Sequence, residues 1–399
     1  MKNKFSKIGL IALTGAFSVG TVFAGSYSVG ARSSSMGGAG TSSSDYLEAV
    51  FYNPALIAKY DGTDDVGILI PNVGLQIQNP YDLVTKIDDF SDLYDQVGKS
   101  TDPNDYNQLI SSLKNLQGNS ASFQAGFAGA IAIPNRHLSV SLFSNNYIDG
   151  TVLTDISSDD LDSSNYSSSS YELNSKGAFF GVSVSEYGIG LAKSYERVNG
   201  TLYLGITPKI QNVDTYNYVV NVNDFESDDY DADQYTINES SFNADIGAIY
   251  AFDNGFSVGL SGKNLIGNNY NMVTSQGVAG KYSINPVLIA SASFSHRFFT
   301  VALDLELNET ERFESFKGLH DTLFSDKDNS QMTSIGLEFN AWNWAQIRLG
   351  YKEDQSGNME SQYTAGLGFS PFNVLHLDVT ANYADKNTFG VAAQTSLTF

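Results

Sequence analysis

His376 and Asp378 lie two residues apart, so on a β-strand they would share one face. An imidazole beside a carboxylate is the pairing that general-base catalysis uses. His137 precedes Ser139 and Ser141, which would set a ring nitrogen near two hydroxyls, as in a hydrolytic barrel. Neither set completes a triad, and polar side chains lining a wet lumen account for both. Asp229, Asp231 and Asp233 alternate in a loop-like stretch, and carboxylate oxygens at that spacing suit Ca²⁺. Gln234 stands where an EF-hand needs glycine and no glutamate closes the loop, so a solvated loop is expected and no metal is assigned. Gly37–Gly40 is glycine-rich but lacks the Gly-Lys-Ser/Thr ending of a phosphate loop. The chain has no cysteine, which removes thiol redox chemistry and Cys-ligated zinc. A formal net charge of −22 argues against nucleic acid as a partner. The expectation is a protein without enzymatic activity and without a cofactor.

The elements that would position these side chains are strands. Phe389, Val391, Ala393, Leu397 and Phe399 fall on one face of the last strand, and Gly390, Gln394, Ser396 and Thr398 on the other. Val301, Leu303, Leu305 and Leu307 likewise oppose Asp304 and Glu306, and Ile335, Leu337 and Phe339 oppose Glu338. Leu375, Leu377 and Val379 oppose His376 and Asp378. About 14 such segments, each near 10 residues, predict an all-β transmembrane antiparallel barrel with lipid outside and water inside. Short connections such as Asn199–Gly200 and Asp253–Gly255 alternate with long acidic ones such as 79–122, 149–176 and 215–239. That asymmetry is the mark of outer-membrane barrels and places the acidic loops outside the cell. Lys2, Lys4 and Lys7, the apolar run Ile8–Val19 and the small residues up to Ala24 predict a signal peptide over 1–24. The division expected is 1–24 signal, 25–62 hatch and 63–399 barrel, in the bacterial outer membrane. Its partners there are lipid and lipopolysaccharide, and it is expected to be a monomer.

Two strands carry a change of parity. Ile68 and Ile70 give way beyond Pro71 to Val73, Leu75 and Ile77, and Phe180, Val182 and Val184 give way beyond Ser185 and Glu186 to Tyr187, Ile189 and Leu191. Each change predicts a bulge that could open the wall sideways. Leu109, Leu113 and Leu116 recur at helical spacing behind Asp102-Pro103, predicting a helix inside the first long loop.

The segment 25–62 has no strand pattern. Its glycines tolerate unusual dihedrals and close approach, and a lumen this wide needs filling, so it reads as a plug. Its Gly30-to-Gly40 run, including Gly37 and Gly38, and the Asn53-Pro54-Ala55 element resemble the N-terminal hatch of the FadL-type outer-membrane transporter superfamily. Gly205–Lys209, Gly259–Ile266 and Leu303–Leu307 resemble, more narrowly, the family labelled conjugal transfer protein TraF. The resemblance implies a plugged 14-stranded barrel passing hydrophobic small molecules, with Asn53, Pro54 and Ala55 as the matching hatch positions. The thiol role of the other TraF, a thioredoxin-related protein, does not carry over to a chain without cysteine. The alternatives are a non-transporting barrel that docks a surface or conjugation apparatus, and a hydrophilic porin lined by Asp304, Glu306, Glu338, Arg348 and Asp378.

Overall fold

The alternating segments pair into a wall. The strands are β1 (Gly67–Gln78), β2 (Ser120–Ile133), β3 (Ser139–Asp155), β4 (Lys176–Arg197), β5 (Gly200–Asn221), β6 (Thr236–Phe252), β7 (Phe256–Lys263), β8 (Asn268–Asn271) and β9 (Ala279–Ile284). They continue as β10 (Val287–His296), β11 (Phe299–Glu306), β12 (Phe313–Lys317), β13 (Met332–Trp342), β14 (Ala345–Asp354), β15 (Gln362–Phe369), β16 (Leu375–Asp385) and β17 (Thr388–Thr398). The structure is a computed structural model and describes residues 30–399 except 61, 63, 98, 99, 101, 168–171, 223–232, 320–328 and 343. The expected signal peptide, the first hatch residues 25–29, Asp229 and Asp231 lie outside the described residues.

Fourteen strands close a barrel in the order β1-β17-β16-β15-β14-β13-β11-β10-β7-β6-β5-β4-β3-β2. The seam is the antiparallel pair β1–β17, running from Gly67 opposite Thr398 to Gln78 opposite Thr388. Closure leaves no free edge. Outward positions are apolar and exposed, among them Leu303, Leu305, Ile335, Leu349, Leu367 and Val391. Tyr351, Tyr363, Tyr383 and Phe389 stand in direct cross-strand register as an aromatic row near the rim of the long connections. Trp344 and Phe369 meet at 5.6 Å near the rim of the short ones.

The wall is uneven. β4 and β5 each have 22 residues, about 70 Å of ladder at ~3.3 Å per residue, whereas β7, β11 and β15 have 8. The high flank is filled from within. Two further long connections, 267–285 and 309–330, carry β8, β9 and β12, which form a separate sheet in the order β12-β9-β8. Tyr282 and Phe313 of this inserted sheet pack in one apolar cluster with Phe180, Val182, Val184, Val213 and Val219 of the flank.

That packing overturns the break expected at Ser185 and Glu186. β4 pairs with β3 without interruption from Lys176 to Ala192, and Ser185 and Glu186 hold regular partners on both sides. The apolar residues change face because the wall changes surroundings. Phe180, Val182 and Val184 point inward onto the inserted sheet, whereas Tyr187 and Ile189 are exposed on the outer surface. The other parity change is a true irregularity: register shifts between Leu69 and Asn72 against both β17 and β2. Leu69 is buried on one side of it, and Asn72 and Gln76 on the other. One residue is therefore extra.

The first long connection folds as helices Leu83–Val97 and Pro103–Leu116. Asp102 Oδ1 accepts the Asn104 amide at 2.9 Å and caps the second. Leu109, Leu113 and Leu116 pack with Leu83 and Phe90, and against Val152 at the top of β3.

Because the extra residue is local, removing Pro71 restores alternation on both sides while keeping every other pairing of β1. The Pro71 deletion is expected to retain heat-modifiable migration on gels. Inserting an alanine after Val73 instead adds a second extra residue, turns Leu75 and Ile77 inward and is expected to abolish it.

Candidate functional site

Residues 30–60 lie inside the ring, and most are buried. They form two arms of different character. Gly30–Ser44 is built of small residues around one helical turn, Ala31–Ser34. Tyr46–Ala58 carries large apolar side chains on a helical turn, Ala49–Tyr52, and a 3₁₀ turn, Pro54–Ala58.

Asn53 joins the arms. Its Oδ1 accepts the Ala55 amide at 3.0 Å and caps the 3₁₀ turn, while its Nδ2 donates to Thr41 O at 3.0 Å and to Leu260 O of the wall at 3.3 Å. Pro54 takes the first position of that turn, where an N–H would be orphaned anyway. The wall receives the hatch on glycines. A Cβ at Gly205 would run into the Pro54 carbonyl, and one at Gly190 into Ile57. On the opposite side, Gly350 and Gly366 lie against Gly37 and Ser35. Gly37 and Gly38 adopt φ of +72° and +92°, a region that favours glycine.

Different forces hold the two arms. The second buries Leu47, Val50, Phe51, Leu56 and Ile57, together about 8–15 kcal/mol as an upper bound at ~1.5–3 kcal/mol each. The first buries Met36 as its one large apolar side chain. It is tied instead by polar contacts: Ala31 N to Gln394 Oε1 at 3.0 Å, Gly37 N to Thr364 Oγ1 at 2.9 Å and Thr41 N to Asp304 Oδ2 at 2.8 Å. Arg32 donates twice to Glu338, at 3.1 and 3.2 Å, and once to Ser43 O at 2.7 Å. Such bonds are worth about 0.5–3 kcal/mol each, the charged ones most.

The lumen is lined by paired charges. Glu338 also accepts Arg348 Nε at 2.6 Å, and Arg348 reaches Asp378 at 2.5 Å. Lys209 sits between Glu186 at 3.1 Å and Asp245 at 3.0 Å. Arg312, next to the inserted sheet, meets Asp149 of β3 at 2.6 Å. In the hatch, burial pushes the Glu48 carboxyl up to about 8, with the Asp45 charge adding to the effect. Ser33 Oγ donates to it at 2.5 Å.

Three spaces stand out. A chamber of about 70 Å³ lies between the first arm and Arg312, with Ser34, Gly37, Gly38 and Thr41 on its hatch side and the charged Lys263 and Lys352 beside Ile289 and Met332 on its wall. A vestibule of about 540 Å³ lies on the other side of the same arm, lined by Arg32, Glu338, Arg348, His376 and Thr398. An apolar groove of about 50 Å³ lies under the helical loop, bounded by Phe90, Leu113, Phe179 and Tyr218.

The structure separates the residues that might have formed catalytic pairs. His376 contacts Ser370 Oγ at 2.9 Å and Thr398 Oγ1 at 3.1 Å, while Asp378 is held by Arg348. Ser139 exchanges hydrogen bonds with the backbone of Asn135, and His137 is exposed in that turn. Asp233 opens a short 3₁₀ turn. Among the described residues no group of three or more His, Asp or Glu side chains could hold a metal ion. Sequence reasoning missed Arg32, Glu48 and Lys209. Lys209 and Glu186 were within reach, because the Val198–Asn199 turn sets Glu186 opposite Gln211, one diagonal step from Lys209.

Residues 50–306 match the family described as F plasmid transfer operon, TraF, protein. The chain belongs to that family. No curated protein matches this sequence. The fold of this TraF-family protein is similar to that of the Ralstonia pickettii toluene transporter TbuX, with a TM-score of 0.54 at 10% identity over 93% of this chain and 98% of that one. A Pseudomonas aeruginosa FadL homologue is similar with a TM-score of 0.54 at 11% identity, covering 96% and 99%. A TodX deltaS2S3 mutant, a monoaromatic hydrocarbon channel, is similar with a TM-score of 0.52 at 11% identity, covering 92% and 98%. These likenesses establish a shared barrel fold.

Gly205→Val is expected to expel the second arm while the barrel still forms, read as new protease cleavage within 46–58 in a protein that keeps heat-modifiable migration. Glu48 is protonated in the docked hatch and ionised in an undocked one between pH 4.5 and about 8. Docking should therefore weaken as pH rises through that window, on the order of 1 kcal/mol per pH unit, and level off above it. Hydrogen exchange of hatch amides across this range checks the slope, and Glu48→Gln is expected to flatten it.

Proposed function

We propose that the protein is an outer-membrane barrel that passes small hydrophobic molecules passively through its plugged lumen. The observation that carries this reading is a closed apolar-faced ring whose interior is divided by a hatch with cavities on both sides. The exposed outward apolar side chains and aromatic rows suit a lipid surround, with lipopolysaccharide against the high flank. The apolar groove under the helical loop offers a landing place at the rim. The solved structures described as a toluene transporter and as a monoaromatic hydrocarbon channel share the barrel fold, and lend the substrate class by analogy only. A monomer suffices, since one ring contains the whole passage. The inward route is physical rather than catalytic: binding, hatch displacement and release, with no bond broken.

One observation favours a second reading, a docking barrel serving a surface or conjugation apparatus. The flank of β3–β6 rises far beyond the short strands and carries a helical loop that a plain channel does not need. A stable stoichiometric partner recovered from solubilised membranes, with no solute flux in liposomes, would select that role.

Deleting the gene is expected to slow uptake across a panel of aromatic hydrocarbons, aromatic acids and fatty acids, and restoring it to recover the rate. Unchanged uptake of every compound counts against a channel. Placement in lipid is checked separately: Leu367→Arg, on the outer face, is expected to cost about 2–4 kcal/mol of stability in bilayers.

A further inference from the structure

We propose that solutes cross along the polar side of this barrel, from the chamber to the vestibule, and that the Gly30–Ser44 arm is the part that moves. This rests on the channel reading above and narrows its cargo to small molecules bearing a charged or hydrogen-bonding group.

That arm lies between the two spaces, with Tyr52 of the second arm also bordering the chamber and Tyr46 and Leu47 the vestibule. Ser34, Gly37, Gly38 and Thr41 face the chamber, and Arg32 faces the vestibule. Displacing one short segment joins them. The opposite side of the lumen offers no such partition: it is filled by the inserted sheet, by Lys209 clamped between Glu186 and Asp245, and by the apolar arm on Gly190 and Gly205. The contacts that hold the first arm are also the kind that water replaces, since they are hydrogen bonds and an ion pair between two cavities that charged side chains line. Arg32 is the latch. It grips Glu338 with two nitrogens and Ser43 O with a third, tying both ends of the arm at once. When it lets go, Glu338 keeps Arg348, so no buried carboxylate is left bare.

Size and lining set the cargo. A chamber of about 70 Å³ is under half of an apolar cavity of ~150 Å³ that takes up benzene. A ring therefore cannot lodge there until the arm shifts. A bare hydrocarbon on this path would strip water from Lys263, Asp304, Glu306, Glu338 and Asp378 without replacing its hydrogen bonds. A molecule with a polar end replaces them.

The absence of native cysteines makes the test direct. Two double variants are placed in liposomes and assayed by swelling in benzoate: Ser35→Cys with Thr364→Cys, which ties the first arm to the wall, and Ile57→Cys with Thr207→Cys, which ties the second, each pair bridged by a short bis-methanethiosulfonate reagent. Bridging the first pair is expected to cut flux by about tenfold or more, reversed by reductant, while bridging the second changes it by less than about twofold. Arg32→Ala, which needs no crosslink, is expected to raise flux several-fold. Flux that survives the first lock, or is stopped by the second, overturns the route. In cells, the protein is expected to speed uptake of labelled benzoate more than of toluene, and the reverse order overturns the cargo. No flux of any solute through the unlocked protein overturns the channel reading itself.

Discussion

The pairing of the first strand with the last is the constraint on which everything else depends. A ring of fourteen strands exists only when β1 finds β17, and that pairing fixes what lies inside and what lies outside. Asp65 N and Val66 N both donate to Phe399 O, so the chain enters β1 beside the last residue. The hatch comes just before this point and turns into the lumen. The extra residue at Ile70–Pro71 sits on the same seam, shifting β1 against both neighbours at once. The seam is thus both the closure of the barrel and the place of the extra residue.

Within the ring, polarity is divided by side. Toward β3–β6 the interior is apolar and packed, with the inserted sheet above and the Tyr46–Ala58 arm below. Toward β11–β17 it is hydrogen-bonded and open, with charges held in chains such as Arg32–Glu338–Arg348–Asp378. The apolar half gains stability from burial and is rigid for the same reason. The polar half is held by contacts that water can substitute. Stability and passage are therefore placed in different halves of one lumen rather than traded against each other.

Much of this was legible in the sequence because the side-chain period of a strand is short. Leu303 and Leu305 against Asp304 and Glu306 fixed which residues face the lumen, and Glu338, Arg348 and Asp378 followed by the same rule. The hatch was legible from glycine content and from Asn53-Pro54-Ala55, of which the Asn53 side-chain amide and the Pro54 ring each have a local reason. The second parity change misled because alternation reports what each face touches, not whether the strand is regular. Phe180 and Val182 are apolar inward because a sheet more than a hundred residues later folds against them, and no local pattern carries that information. Arg32 and Glu48 were hidden for a similar cause: their partners and burial come from the assembled lumen.

The glycine seats of the hatch also set an order of assembly. The hatch is the first part of the described chain to leave the ribosome, yet Ser35 and Gly37 meet Thr364, more than three hundred residues downstream. The plug has no seat until β15 stands in the wall. A nascent chain must therefore carry its stopper unseated through nearly the whole of barrel construction, and docking is among the last steps, with the long loop closure that makes such contacts slow to form.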